Sequence, residues 1–444
     1  MIQPHTAPGS AMRLAGKAAD YVRSFPKPVW LLVAATMIES TGRFMVVPYL
    51  SLYMRSAGVS LGALGLVLGA APLANVAFGA WGGHLADRWG RKPVQILGVA
   101  TSGLALFGFA FAGTSVYVLG LLNFLNGMTR TFYRPATNAA LADFAPPDRR
   151  SEVYALNRIA LNAAFGWGPI IGVALFAAGP KAGFIVGGSL NLIVGLFIAV
   201  AVPESSPGRE TRAGIACADS AGVGTGPSAW GAIRKDGIFW VWTAGMTLTW
   251  GAYGLIQNFL PLHLSARGIP LLVYGSVLTT NALICVFAQL PASRRLRVSR
   301  IGLSAGASKL AFAAGFLGFA FLRSPAAIIM AMMVLSFGEV WGSAVQTRFV
   351  PEHVNPRFMG RYLGLSVVSE LGQAIVAPAA GFMMEALGGA SVFIGAAVLS
   401  LAGGALLYLA GSAQDGRSAY GPSSSISKTR TALGGTTPPA PRSP

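Results

Sequence analysis

A chain of 444 residues with 53% hydrophobic and only 11% charged residues does not read as a soluble protein, where about 25% would be charged. Its apolar residues run in long unbroken stretches, many reaching the roughly 20 residues that a helix needs to cross a bilayer. The formal net charge of +18 would point to nucleic acid in a soluble protein, but the placement of the cations, given below, excludes that partner.

Residues 1–27 form a cytosolic N-terminal segment without the apolar core and cleavage site of a signal peptide, so the first span is expected to act as an uncleaved insertion signal. The apolar runs predict spans 1 to 6 at 30–53, 61–84, 93–113, 115–140, 153–177 and 182–202, an N-terminal half over 28–202. A polar Gly- and Ser-rich stretch, 203–236, reads as a cytosolic linker. Spans 7 to 12 follow at 237–262, 271–291, 301–322, 325–347, 360–384 and 389–411, a C-terminal half over 237–411. The Ser/Gly/Pro/Thr-rich tail, 412–444, has little to bury and is expected to be disordered and cytosolic. The fold class is therefore an all-α membrane protein of twelve transmembrane helices in two pseudo-symmetric six-helix halves.

The distribution of cations tests this count. With both termini in the cytosol, 25 of the 33 Lys and Arg residues, Arg134 among them, fall in inside segments. Four fall in outside loops (Arg55, Lys181, Arg267, Arg323), and Arg43, Arg130, Arg158 and Lys309 fall within spans. That bias follows the positive-inside rule and accounts for the net charge without nucleic acid. The two halves also repeat at a shift of about 210 residues. Gly168-Pro169-Ile170-Ile171-Gly172 in span 5 matches Ala377-Pro378-Ala379-Ala380-Gly381 in span 11, as expected of parallel repeats that hold a substrate site between them.

The turn between spans 2 and 3 reads Gly83-His84-Leu85-Ala86-Asp87-Arg88-Trp89-Gly90-Arg91-Lys92. Small residues permit a tight turn, and an acid beside several cations can pair across it or cap a helix end. This decapeptide resembles the motif G-x-L-a-D-r-x-G-r-k found at the same place in the major facilitator superfamily. The resemblance implies a cytosolic gate of Gly83, Asp87, Arg88, Gly90 and Arg91, with Asp143 as the acid at the end of span 4 that completes the cluster. Span 5, with Gly168, Pro169 and Gly172, resembles the glycine–proline motif of proton-coupled antiporters, although Ala164 and Val173 replace its first and last glycines. A packing kink is the other reading of that helix. Over residues 28–411 the chain is most similar to the twelve-span drug:proton antiporters, whose members exchange protons for drugs, sugars or metabolites. The fold does not carry the substrate with it.

A charge inside a span costs about 2.5–3.5 kcal/mol on insertion scales, so it must find a partner or a wet cavity. Glu39 and Arg43 lie one turn apart in span 1, either as a self-neutralising pair or as a functional one. Arg130 in span 4 has Glu339 in span 10 as its repeat counterpart, and the two are expected to face each other across the cavity; a buried ion pair that fixes packing is the alternative. Glu339, then Glu370 and Glu39, are the candidates for proton coupling. Arg43, Arg130, Tyr133, Trp250, Tyr253 and Trp341 are the candidates for the substrate cavity, the aromatics by stacking and cation–π contact or merely by packing. Arg158 and Lys309, nearer the cytosolic ends, are read as structural residues that snorkel.

No nucleophile elbow, metal cluster or Walker-type loop is present, and Cys217 and Cys285 have neither disulfide nor metal spacing. The chain is not expected to be an enzyme or to need a cofactor or metal. The expected partners are a small-molecule substrate, protons and the lipid bilayer, with the chain a monomer in a bacterial inner membrane. The sequence points to a proton-coupled exporter working by alternating access. A proton-coupled importer of peptides or other nutrients, suggested by a weak resemblance of span 1 to oligopeptide transporters, remains open, as does a non-transporting membrane sensor.

Overall fold

The computed structural model describes residues 21, 23–205, 229–296, 299–354 and 358–419. Cys217, most of the N-terminal segment and linker, and the tail beyond residue 419 lie outside the described residues. Among the described residues there is no β-strand, and helices stand at every position expected for a span. They are Lys27–Phe44 with Val47–Ser56 (span 1), Leu61–Trp89, Arg91–Phe111, Val116–Phe144, Arg150–Ala178 and Ala182–Ala201 in the first half. In the second half they are Gly237–Asn258 with Leu260–Ala266 (span 7), Leu271–Arg295, Ile301–Phe321, Pro325–His353, Met359–Leu387 with a 3-10 stretch at Ser366–Glu370, and Gly389–Ala419. Ten of these are long and apolar enough to cross a membrane; the helices of spans 4 and 7 are richer in polar, Gly or Trp residues.

Local chemistry sets the helix ends. Ser60, Asp236 and Ser324 accept hydrogen bonds from Ala63, Phe239 and Ala327 N–H groups, satisfying donors that the helix cannot. Spans 1 and 7 each break once, before a proline near the start of the second segment (Pro48 and Pro261), where a missing N–H cannot continue the ladder. The last helix runs eight residues past the expected boundary at 411, to Ala419. Packing holds it: Gln414 is buried and donates to the Phe349 carbonyl, and Asp415 accepts from the Ile301 and Gly302 N–H groups at 3.1 Å each.

The two halves touch along spans 2 and 11 and along spans 5 and 8. The Gly62 N–H donates to Glu385 Oε2 at 2.8 Å in the first contact, and the Thr279 hydroxyl donates to the Gly166 carbonyl at 2.6 Å in the second. The two ends of the molecule are packed differently. At the end away from the span 2–3 turn, one apolar core draws Tyr49, Met54, Phe109 and Phe184 of the first half together with Phe259, Tyr274, Phe316 and Phe393 of the second. Tyr49 and Tyr274 meet edge to face there, with centroids 6.0 Å apart. At the end carrying the turn, the motif end, each half has its own core. Phe25, Leu32, Leu141 and Ile198 belong to one, and Phe239, Trp242, Phe349 and Leu407 to the other. Large apolar side chains such as Leu104, Phe111, Leu196, Phe287 and Leu310 cover the outside, where lipid tails would meet them.

Candidate functional site

Because the halves join at the far end and separate at the motif end, a cavity of about 600 Å³ opens between them from mid-depth towards the motif end. That volume suits a small organic molecule. Span 1 contributes Glu39 and Arg43, span 4 Arg130, Tyr133 and Arg134, span 5 Arg158 and Asn162, span 7 Trp250, Tyr253 and Gln257, and span 11 Glu370 and Gln373. Of the residues expected in the cavity, Arg43, Arg130, Tyr133, Trp250 and Tyr253 line it, as do the acids Glu39 and Glu370.

Glu39 and Arg43 form an ion pair at 3.5 Å, the Ser40 hydroxyl donates to Glu39 at 2.9 Å, and the Arg43 guanidinium lies 4.4 Å from the Phe44 ring centre. Arg130 and Arg134, one turn apart on span 4, lie within electrostatic reach of Arg43; Arg158 and Glu370 act on Arg134. Arg134 falls inside the expected span 4 itself, in a helix that runs to Phe144, and lines the cavity, so it belongs to the cavity wall and not to the cytosolic segments with which it was counted. Arg158 is also a wall residue, because the cavity reaches far enough towards the motif end to include positions near the start of span 5.

Glu339 stands one layer behind the wall. The Tyr253 hydroxyl donates to its Oε2 at 3.2 Å and the Asn281 amide at 2.7 Å, while Asn281 also donates to Ser336 at 3.0 Å. Tyr253 therefore touches both the cavity and this carboxylate. Arg130 lines the cavity and Glu339 does not, so the two do not face each other across it as expected; Lys309 and Arg158 are among the cations that act on Glu339. Lys309 does not snorkel. It is 2% exposed, with its ammonium 4.1 Å from the Phe312 ring centre and beside Gly342 of span 10.

Trp341 is not a cavity residue. Two positions along a helix turn a side chain by about 200°, so Trp341 points away from the side that buries Glu339. It is 48% exposed, in an outward stripe with Met330, Val334 and Phe337.

At the motif end, Arg91 binds Asp87 and lies 3.4 Å from Asp143, which also accepts from the Ser205 hydroxyl at 3.1 Å. Glu204, absent from the sequence expectation, accepts the Arg91 and Lys92 N–H groups at 2.9 and 3.3 Å. Gly90 adopts φ +104°, and a Cβ there would meet the Glu204 carboxylate at 2.9 Å, so the turn needs glycine twice over. Arg88 is exposed, and Gly83 has open space beside it. In the second half, Asp236 accepts from the Tyr362 hydroxyl at 2.9 Å and lies 2.8 Å from His353. Burial pushes its carboxyl up, but the Phe239 N–H, His353 and Tyr362 outweigh that and hold it below the usual range.

The glycine–proline segment of span 5 lies against span 1 at the far end. The Tyr49 hydroxyl donates to the Pro169 carbonyl at 2.6 Å, and Gly168 packs on Phe44. A Cβ on Gly172 would lie 2.4 Å from both the Met45 carbonyl and the Tyr49 ring, so only glycine allows this approach. The segment is thus part of the sealed end. Among the described residues, no group of His, Cys, Asp and Glu has a metal-binding arrangement.

Residues 32–370 match the family model described as Major Facilitator Superfamily. The chain is 23% identical over 369 residues to the uncharacterized MFS-type transporter YqjV of Bacillus subtilis, covering 81% of this chain and 87% of that protein. It is 26% identical over 189 residues to the quinolone resistance protein NorA of Staphylococcus aureus, covering 43% of this chain and 48% of that protein. Among solved structures, the nucleoside transporter NupG shares the fold with a TM-score of 0.68 at 16% identity, covering 88% of this chain and 99% of that one.

Proposed function

We propose that this chain, which belongs to the Major Facilitator Superfamily, is a proton-coupled exporter of small organic molecules that works by alternating access. The observation that carries the coupling is the position of Tyr253, whose ring lines the cavity while its hydroxyl donates to the Glu339 carboxylate. A molecule entering the cavity presses on Tyr253 and alters the hydrogen bond that steadies the ionised acid. A proton on Glu339 removes the reason for that bond. Substrate and proton then compete through one side chain, as exchange requires. The likeness of part of the chain to a quinolone resistance protein supports export of an organic molecule.

In this reading the motif end faces the cytosol of a bacterial cell, in keeping with the positive-inside bias, and the structure stands in its inward-facing state. The halves 28–202 and 237–411 rock about the contacts of spans 2 and 11 and of spans 5 and 8. Opening the far end breaks the shared core, while the Asp87, Arg91 and Asp143 cluster closes the motif end. Each chain encloses its own cavity and acts as a monomer.

The test uses everted membrane vesicles energised to an acidic interior, with a panel of drugs and metabolites, comparing wild type with Glu339→Gln. A compound that collapses the gradient in wild type and leaves it standing in the variant supports the reading. A panel that collapses neither, with gradient-driven uptake into intact cells instead, would replace export by import.

A further inference from the structure

We infer that the cavity selects organic anions: molecules with a carboxylate or sulfonate head and a planar or apolar body. The inference rests on the cavity being a substrate site and names the class that it takes. Four guanidiniums line the cavity, on Arg43, Arg130, Arg134 and Arg158, against two carboxylates, on Glu39 and Glu370. Glu39 is already engaged by Arg43 at 3.5 Å and by the Ser40 hydroxyl at 2.9 Å. That leaves three arginines facing one acid, a surplus of two positive charges.

Among the described residues, no carboxylate oxygen lies within 4.0 Å of Arg130, Arg134 or Arg158. They stand instead close enough to repel one another: Arg130 and Arg158 both act on Arg134, where Glu370 and Glu39 offset them only in part, and Arg130 and Arg134 both act on Arg43. Like charges gathered on one wall of a half-enclosed site cost stability unless an opposite charge joins them. Guanidiniums bind carboxylate and related oxyanions in forked geometry, which a fixed acid elsewhere in the wall does not supply.

The opposite wall fixes the rest of the molecule. Trp250, 37% exposed, and Tyr253 meet edge to face with centroids 5.7 Å apart, and Gln257 and Gln373 flank them. An aromatic surface with two amides accepts a flat or apolar body carrying a few polar groups. A lipophilic cation would place its charge against the arginines or leave them unpaired, and either arrangement is unfavourable. The selectivity is therefore built by repulsion as well as attraction.

The test uses the purified full chain in detergent and three probes of one shape: naphthalene-2-sulfonate, naphthalene-2-carboxamide and a naphthyl-2-trimethylammonium. Calorimetric titration should give the sulfonate at least tenfold tighter binding than the cation and several-fold tighter than the amide. Arg134→Gln should weaken the sulfonate about tenfold and leave the amide within twofold. Arg158→Gln, nearer the water, provides the same readout if the first variant folds poorly. Equal or tighter binding of the cation overturns the inference, as does an equal loss for sulfonate and amide.

The same probes in energised vesicles separate this inference from the coupling. Arginine-dependent sulfonate binding without any effect on the gradient keeps the anion site and removes the proton exchange. Gradient collapse by the cation, with no sulfonate binding, keeps the exchange and removes the anion site.

Discussion

The first-half wall of the cavity turns Arg130, Arg134 and Arg158 towards water, whereas the second half keeps Lys309 2% exposed and Glu339 behind the Tyr253 ring. Both halves carry charges within the bilayer thickness, and both must offset the cost of placing them there. The first does so with solvent and a cavity, the second with hydrogen bonds and a neighbouring opposite charge. The difference separates two kinds of work. A charge that faces the cavity can exchange water for a ligand, while a charge behind the wall changes state only when a proton moves or the wall does.

The most severe test of that separation is Lys309→Met. It strips the Glu339 carboxylate of a nearby buried cation that acts on it without an ion pair within 4.0 Å, and leaving that acid less compensated costs about 1–3 kcal/mol. A large fall in melting temperature in detergent is expected, with most of it restored in the Lys309→Met/Glu339→Gln double variant. If the double variant melts as low as the single one, the two charges do not depend on each other.

Tyr253→Phe keeps the ring and removes only the donor to Glu339, a loss of about 1–2 kcal/mol. Gradient-driven flux should fall about tenfold while the affinity of the cavity changes by less than threefold. A parallel loss of affinity and flux would show that the hydroxyl serves the substrate instead.

Glu39→Gln acts on the other wall by releasing Arg43 from its ion pair. One more uncompensated cation should tighten sulfonate binding about threefold at low salt, with the gain fading as salt rises. Unchanged binding would mean that Arg43 does not share the field of Arg130 and Arg134. The smallest effect is reserved for Trp341→Leu, on the outward face, where transport should stay within twofold of wild type. A larger loss would return Trp341 to the cavity.

Much of the architecture was legible because a membrane span is a length of apolar sequence, and length survives any error about tertiary contacts. The cavity acids and two of its four arginines, Arg43 and Arg130, were legible for a related reason, since a charge within a span must have a purpose. What the sequence concealed depends on direction. Trp341 lies two positions from Glu339 and so on the opposite side of its helix, and the stripe of Met330, Val334 and Phe337 was the available sign. Arg134 was counted with the cytosolic cations, although it sits one turn beyond Arg130 on the same helix face. Lys309 looked free to reach the surface, but its enclosure comes from Phe312 of its own helix and Gly342 of the next, a contact that no periodicity reveals. Asn281, an isolated amide in an apolar span, was the overlooked clue to where Glu339 would be held.

The two separate cores at the motif end also say something about the order in which the molecule is made. Every residue in the first of them, from Phe25 to Val202, precedes the second half in the chain. That core can close while the ribosome is still at work, as domains commonly do. The far-end core cannot, because it waits for Phe259, Tyr274, Phe316 and Phe393. The newborn first half must therefore stand for a time with the edge of Tyr49 that meets Tyr274 lacking its partner, although Pro169 and Phe176 already hold that ring, and the arrival of the second half closes the shared core.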